Sequence, residues 1–389
     1  EIPDDGIDND GNGYVDDIYG IDEADGDCDP MDDDGHGSHC AGIIGAVGNN
    51  TLGVVGVNWR VRIMALDFFD SRGWGEEANA IKCIEYAVRH GARVISASWG
   101  GDPYNPALYD TIEMAGKSNI LFVAGAGNDG KNNDVTPFYP SSYSNENIIA
   151  VAASDRNDAM AYFSCFGSNS VDLAAPGMEI LSTVLFDQYG YKQGTSMATP
   201  FVTGAAALLL SIKPELSFAA VKKALLDNVD PVPAFASKLL SGGRLNVYKA
   251  ALAILPAVEF DRPSMFVGED TLVTLYEPAL QGALTASVQL VSSAGDIETL
   301  LLHERSAAGF IFTNVIPIGL GPAVIENGVL EGGDSTQLYA LHPDTLHGGT
   351  VTGRAAISLA LHITITTTPF YVVQRYQDFA AAGYTNALV

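Results

Sequence analysis

Three short runs, residues 94–98, 120–124 and 147–153, are built of apolar and small uncharged residues, and a helical stretch around 106–118 separates the first two. A strand that is apolar on both sides must be covered on both faces; a strand with one wet face would alternate instead. Strand–helix–strand alternation joins such strands by right-handed crossovers. The runs therefore predict an α/β unit, a parallel sheet between two layers of helix. A further strand is expected at 61–67, with helices at 36–47, 76–90 and 106–118. Residues 201–212 are nearly all apolar and predict a helix that must be buried. Amphipathic helices at 216–228 and 245–254 follow, and Pro256 closes the series. No run is expected to reach the roughly 18 residues of a membrane span, so membrane insertion is not expected.

From residue 258 the texture changes to short alternating runs, such as 285–291, 298–302, 310–315 and 337–341, separated by Gly, Asp, Pro and Asn. That pattern predicts an all-β, immunoglobulin-like sandwich. The chain thus divides into an acidic region 1–35, an α/β region 36–255 and a β region 257–389. With 389 residues and a net charge of −27, it can bury a large core and repels nucleic acid and anionic surfaces. Fifteen of the acids fall in residues 1–34, and the first Lys or Arg is Arg60. Glycine and aromatic residues punctuate this block, which favours an ordered cation site over a solvated tail. Cys28, Cys40, Cys83 and Cys165 are too few and scattered for a disulfide framework.

Three segments carry chemistry. Ser196, after Gly194-Thr195, opens the buried helix, where a serine serves as N-cap or as a nucleophile with its oxyanion at the positive helix end. His36, between Gly35 and Gly37, reads as a general base or, with His39, as half of a metal pair lacking a third ligand. Asn128, after Ala124-Gly125-Ala126-Gly127, is an ordinary turn residue or an amide donor to a developing oxyanion. All three sit where an open α/β sheet binds ligands, at the carboxyl ends of its strands.

Together the motifs His36-Gly-Ser-His39-Cys-Ala-Gly, Ser98-Trp-Gly-Gly101, Ala126-Gly-Asn128 and Gly194-Thr-Ser196-Met-Ala-Thr-Pro200 make residues 30–254 resemble a subtilisin-like serine protease. The resemblance implies a secreted endopeptidase acting on polypeptides, with Ser196 as nucleophile, His36 as base and His39 as a structural neighbour. Asn128 and the Ser196 N–H would stabilise the oxyanion. Substrate would lie between Ser98-Trp99-Gly100-Gly101 and Ala124-Gly125-Ala126-Gly127, paired through main chain. Phe138 is expected near the floor of the specificity pocket. A monomer is expected.

The family's triad aspartate ends an apolar strand ahead of the histidine, and nothing before His36 matches it. The expectation is that this strand lies upstream of Glu1. The sheet would then lack a strand, leaving a crevice and a histidine without its orienting carboxylate. A non-catalytic calcium-binding or adhesion protein on the same scaffold is the rival reading.

Asp8, Asp10, Asn12 and Asp16 stand at the first, third, fifth and ninth positions of an EF-hand-like loop, with the Tyr14 carbonyl at the seventh. The twelfth position is Tyr19 rather than Glu, so Asp16, Asp17 or Asp22 must supply the missing ligand. A structural Ca²⁺ is expected. Residues 49–54 resemble a second calcium loop of the family, with Asn50 as a ligand.

Overall fold

The computed structural model describes residues 2–358 apart from short stretches, 3–4, 71–72 and several between 255 and 349. The part of the expected β region beyond 358 lies outside the described residues. The chain forms two compact units, the first reaching Val247 and the second starting at Tyr248.

In the first unit the elements run β1 Gly20–Asp22, α1 His36–Gly45, β2 Ala65–Asp67, α2 Glu77–Arg89, β3 Val94–Ala97, α3 Pro106–Lys117, β4 Leu121–Gly125 and β5 Ile148–Ser154. There follow β6 Leu173–Pro176, β7 Ile180–Val184, β8 Gln188–Lys192, α4 Thr195–Ile212, α5 Phe218–Asp227, β9 Asp230–Pro231 and β10 Gly243–Arg244. Strands β3, β4, β5 and β6 pair in that order, all parallel, and β10 with β9 extends the sheet beyond β6. This is the parallel sheet predicted from the apolar runs.

Alternation along β4 sorts the two faces. Phe122 and Ala124 join Ile84 of α2 and Leu108, Ile112 and Ala115 of α3 in one core cluster. The opposite face meets α4: a side chain at Gly125 would press on Thr195 and Thr199. Helix α3 begins where the sequence provides a start signal, Pro106 at its first turn and the Asn105 side chain accepting from the Ala107 and Leu108 N–H groups.

Two expectations are corrected or sharpened here. Helix α4, 18 residues, is long and apolar enough to cross a membrane, contrary to the expectation that no run reaches that length. It is the central core helix, with Val202, Ala205, Ala206, Leu208 and Leu209 fully buried. The Thr and Ser residues of its first turn interrupt the apolar run in the sequence, although that turn continues the same helix. Strands β1 and β2 pair in parallel as a separate sheet, not joined to β3.

In the second unit come α6 Val247–Leu252, β11 Ala257–Phe260, β12 Ser264–Phe266, β13 Asp270–Tyr276, β14 Thr285–Ser292, β15 Ile297–Glu304, β16 Ile311–Leu320, β17 Leu330–Gly332, β18 Gln337–Pro343 and β19 Thr350–Ser358. Helix α6 starts at Val247, the last residue of the first unit. The strands are mainly antiparallel and hydrogen-bonded along one path, β11-β13-β16-β15-β14-β18-β19-β12, with β17 on β16. Alternate residues face one core that includes Val273, Leu275, Val288, Leu290, Phe312 and Leu338.

Candidate active site

Strands β3 and β4 pair as far as Ala97 and Ala124, and beyond them the two chains part. Ser98 to Gly101 and Gly125 to Asn128 form the two sides of the opening. Helix α4 begins at its mouth. Gly194, which precedes the helix, has φ +150°, a conformation that an L side chain rarely adopts.

Pro200 shapes this first turn. It has no N–H, so the Ser196 carbonyl loses the partner it would have in an unbroken helix. Two side chains take that carbonyl instead: Ser98 Oγ donates to it at 2.9 Å and Cys40 Sγ at 3.4 Å. The Ser196 hydroxyl in turn donates to the Ser98 carbonyl at 3.2 Å. One imino acid thereby ties the serine to the end of β3 and to α1.

Asn128 is exposed and lies past the end of β4. Its Oδ1 accepts from the Thr195 N–H at 2.8 Å and from Thr195 Oγ1 at 3.1 Å. Thr195 Oγ1 also accepts from the Gly127 N–H at 3.2 Å. With Oδ1 engaged, Nδ2 is the end of the amide left to donate, and no acceptor meets it among the described residues.

His36 is the first residue of α1, one turn ahead of Cys40 and on the same face. Cys40 reaches the Ser196 carbonyl, and Cys40 and Ile43 pack on Met197 of α4, so that face of α1 is turned to the serine. Burial, with a contribution from the Lys192 ammonium, holds the imidazole below its ordinary pKa; Asp34 and Asp32 oppose this more weakly. The ring is therefore neutral at neutral pH and able to accept a proton. No carboxylate hydrogen-bonds to it among the described residues. Asp32 is committed elsewhere: it caps α1, accepting from Ser38 N at 2.6 Å and Gly35 N at 2.7 Å.

His39 is fully buried. Its Nε2 lies 3.0 Å from the Ile180 carbonyl and 3.1 Å from that of Gly190, which fixes the hydrogen on Nε2 and α1 on the β7–β8 hairpin. It is a packing residue, and no metal pair forms with His36. The four cysteines are free. Burial pushes the Cys40 thiol up to about 11 and that of Cys83 to about 12, so both are inert at neutral pH.

Of the residues expected to contact substrate, Trp99 turns its ring into the core, edge-on to Phe68 at 5.2 Å and Phe122 at 6.4 Å. Only its main chain is left for the opening. Ala126 and Gly127 spend both N–H groups and both carbonyls on the fold: Ala126 N donates to Val151, Gly127 N to Thr195 Oγ1, and the two carbonyls accept from Asn133 Nδ2 and Cys165 N. The sequence reading missed Thr195. Its place between Gly127 and Asn128 follows only once β4 and α4 are juxtaposed.

The acidic loop is ordered and docked on α2. Asn12 is its hub: Nδ2 donates to Asp17 Oδ2 at 2.7 Å and Asp10 Oδ2 at 3.3 Å and lies 3.0 Å from His90 Nε2, while Oδ1 accepts from Tyr14 N at 2.8 Å. Asp8 accepts from Gly11, Asn12 and Gly13 N–H groups. Asp17 is buried and also accepts from the Tyr86 hydroxyl at 2.6 Å. Asp16 turns away from this set and accepts from Asp5 and Gly6 N–H groups. Among the described residues no three acids, histidines or cysteines are gathered at metal-binding spacing.

A subtilase family profile matches residues 4–248. Thermitase of Thermoactinomyces vulgaris is 40% identical over 233 residues, 60% of this chain and 80% of that protein. A thermophilic serine proteinase of Bacillus sp. (strain AK1) is 43% identical over 194 residues, 50% of this chain and 47% of that protein. Subtilisin-like protease 1 of Plasmodium falciparum is 35% identical over 263 residues, 63% of this chain, which spans only 38% of that protein. With the parallel sheet, the serine at the helix start and the histidine one turn from Cys40, the profile match places the first unit: the chain belongs to the subtilase family.

Proposed function

We propose that the chain carries a serine endopeptidase site that acts on polypeptides outside the cell, as a monomer. Ser196 Oγ adds to the peptide carbonyl while neutral His36 takes its proton and later gives it to the leaving amine. Asn128 Nδ2 and the Ser196 N–H receive the oxyanion at the positive end of α4. Of residues 98–101 and 124–127, the main chain of Ser98, Trp99 and Gly100 would hold the extended substrate, since Gly101, Ala126 and Gly127 spend both N–H and carbonyl on the fold. The observation that carries this reading is the Thr195 clamp, which commits Asn128 Oδ1 and leaves Nδ2 as a donor beside the serine.

The third group of the triad, a carboxylate for the His36 ring, belongs in this reading to a strand entering between β2 and β3. Both end their sheets. All of β2 and three of the four residues of β3 are half-buried, whereas β4 and β5 are buried throughout. Phe68 and Trp99, just past β2 and β3, bring the ends of these strands within a ring contact of each other. Hydrolysis of a peptide anilide by this chain, compared with a version extended upstream by an aspartate-bearing strand, tests the proposal. The extended version should be faster by about 10⁴, the cost of losing that aspartate in subtilisin. Equal rates would refute the missing-strand reading.

We also propose a structural Ca²⁺ in the acidic loop, held by Asp8, Asp10, Asn12, Asp17 and the Tyr14 carbonyl. Hard oxygen donors suit this ion, and it would bring positive charge to acids gathered on one short loop. Asp16 would have to turn back to join them. A chelator should lower the melting temperature by about 5 °C or more; an unchanged melt would count against the ion. For the second unit we retain the immunoglobulin-like sandwich as the reading of its single core.

A further inference from the structure

Gly100 and Gly127 face the same aromatic ring. A Cβ built on Gly100 would stand 2.8 Å from Phe138 Cζ and closer still to Cε1, and one built on Gly127 would stand 3.2 Å from Cγ and Cδ1 of that ring. The two glycines belong to the two sides of the opening beyond β3 and β4. Gly100 lies two residues past Ser98, whose carbonyl accepts from the Ser196 hydroxyl, and Gly127 immediately precedes Asn128. The slot between them therefore opens at the nucleophile, and the ring fills it. Cys165 closes one flank, its Sγ 3.2 Å from the same Gly127 position.

The main chain around Phe138 is held in place. Gly101 and Tyr139 exchange N–H donation to each other's carbonyls at 2.7 and 2.8 Å. Phe138 N donates to Ser142 Oγ at 3.1 Å, and its carbonyl accepts from Ser141 Oγ at 2.8 Å and Ser142 N at 2.9 Å. Only rotation of the side chain could clear the slot, at the loss of its contacts with both glycine walls.

We propose that Phe138 is the specificity-determining residue of this site: it closes the pocket for the side chain on the acyl side of the scissile bond and restricts substrates to Gly, Ala or Ser at that position. The proposal rests on the peptidase reading above and deepens it. A large apolar residue there would compete with the ring for one volume, and discrimination follows from the few methylenes that no longer fit.

The test uses Ala-Ala-Pro-X anilides, with X as Gly, Ala, Ser, Leu or Phe, on this chain and on Phe138→Ala and Phe138→Leu variants. The same peptides carrying a fluorophore are titrated by polarisation onto Ser196→Ala, which binds without turnover. In the unmodified chain X = Ala should exceed X = Phe in kcat/KM by about tenfold or more. Phe138→Ala should reverse the order, and Phe138→Leu, which keeps most of the packing, should give an intermediate ratio. Cleavage of X = Phe as fast as X = Ala by the unmodified chain would overturn the pocket proposal and leave the peptidase reading standing. No cleavage even by the version extended upstream with the aspartate-bearing strand, with Ala still bound more tightly than Phe, would overturn the peptidase reading alone. Neither cleavage nor binding would overturn both.

Discussion

The two halves of the candidate site are built differently. The serine–asparagine half is tied from several directions. Pro200 frees the Ser196 carbonyl for Ser98 and Cys40, and Thr195 grips Asn128 through both its N–H and its hydroxyl. The histidine half has burial and a helix position but no hydrogen bond to a carboxylate among the described residues, and Asp32, the acid closest in sequence that is well engaged, is used to cap α1. The difference teaches that, in the proposed reading, the oxyanion donors come from the α4–β4 junction, whereas orientation of the base would depend on the margin where β2 and β3 do not pair.

Four substitutions probe that contrast, in descending size. If the asparagine half is complete, Asn128→Ala should lower kcat by about 10²–10³ with little change in KM, the magnitude known for the equivalent donor in subtilisin. A rise in KM with kcat unchanged would show that the amide only binds substrate. Thr195→Val removes the hydroxyl from Asn128 and from the Gly127 N–H while keeping the main-chain donor. A loss of about tenfold in kcat is expected, because one of two hydrogen bonds fixing the amide goes. An unaltered rate would mean that the main-chain bond suffices.

The smallest effect concerns the base. Lys192 helps hold the His36 pKa below its ordinary value, and the proposed reaction needs the neutral ring. Activity should therefore fall as pH drops through that depressed pKa. Lys192→Gln removes the cation that disfavours imidazolium, so the pKa rises and the acid limb moves to higher pH. Asp34→Asn should move it the other way, since Asp34 favours the charged ring and also pairs with Lys192 at 3.7 Å. NMR titration of the His36 ring reads both shifts without turnover. Shifts of the opposite sign would break the electrostatic account.

Much of this was legible in the sequence because it depends on local pattern. Runs of apolar and small uncharged residues announced β3, β4 and β5, and the small residues beside His36 and Ser196 announced the helix starts. What stayed hidden depends on which segments meet. Nothing in Pro200 by itself says that Ser98 and Cys40 will take the carbonyl it frees, and Thr195 reads as an unremarkable first-turn residue until Asn128 is beside it. The short β1 carries too little periodicity to show that it pairs with β2. Asp16 fits the spacing of a cation loop, yet its backbone, at φ 57°, carries the carboxylate to Asp5 and Gly6. Alternation in the second unit revealed strands but not the order in which their ladders join.

The most direct test of the central claim is mass spectrometry after exposure of the chain to a fluorophosphonate at neutral pH. The account predicts one phosphonyl adduct, on Ser196, with fluoride displaced and the serine proton passed to His36, and no adduct in Ser196→Ala or His36→Ala. An unmodified Ser196 at neutral pH, or an adduct that persists when the serine is replaced, would contradict it.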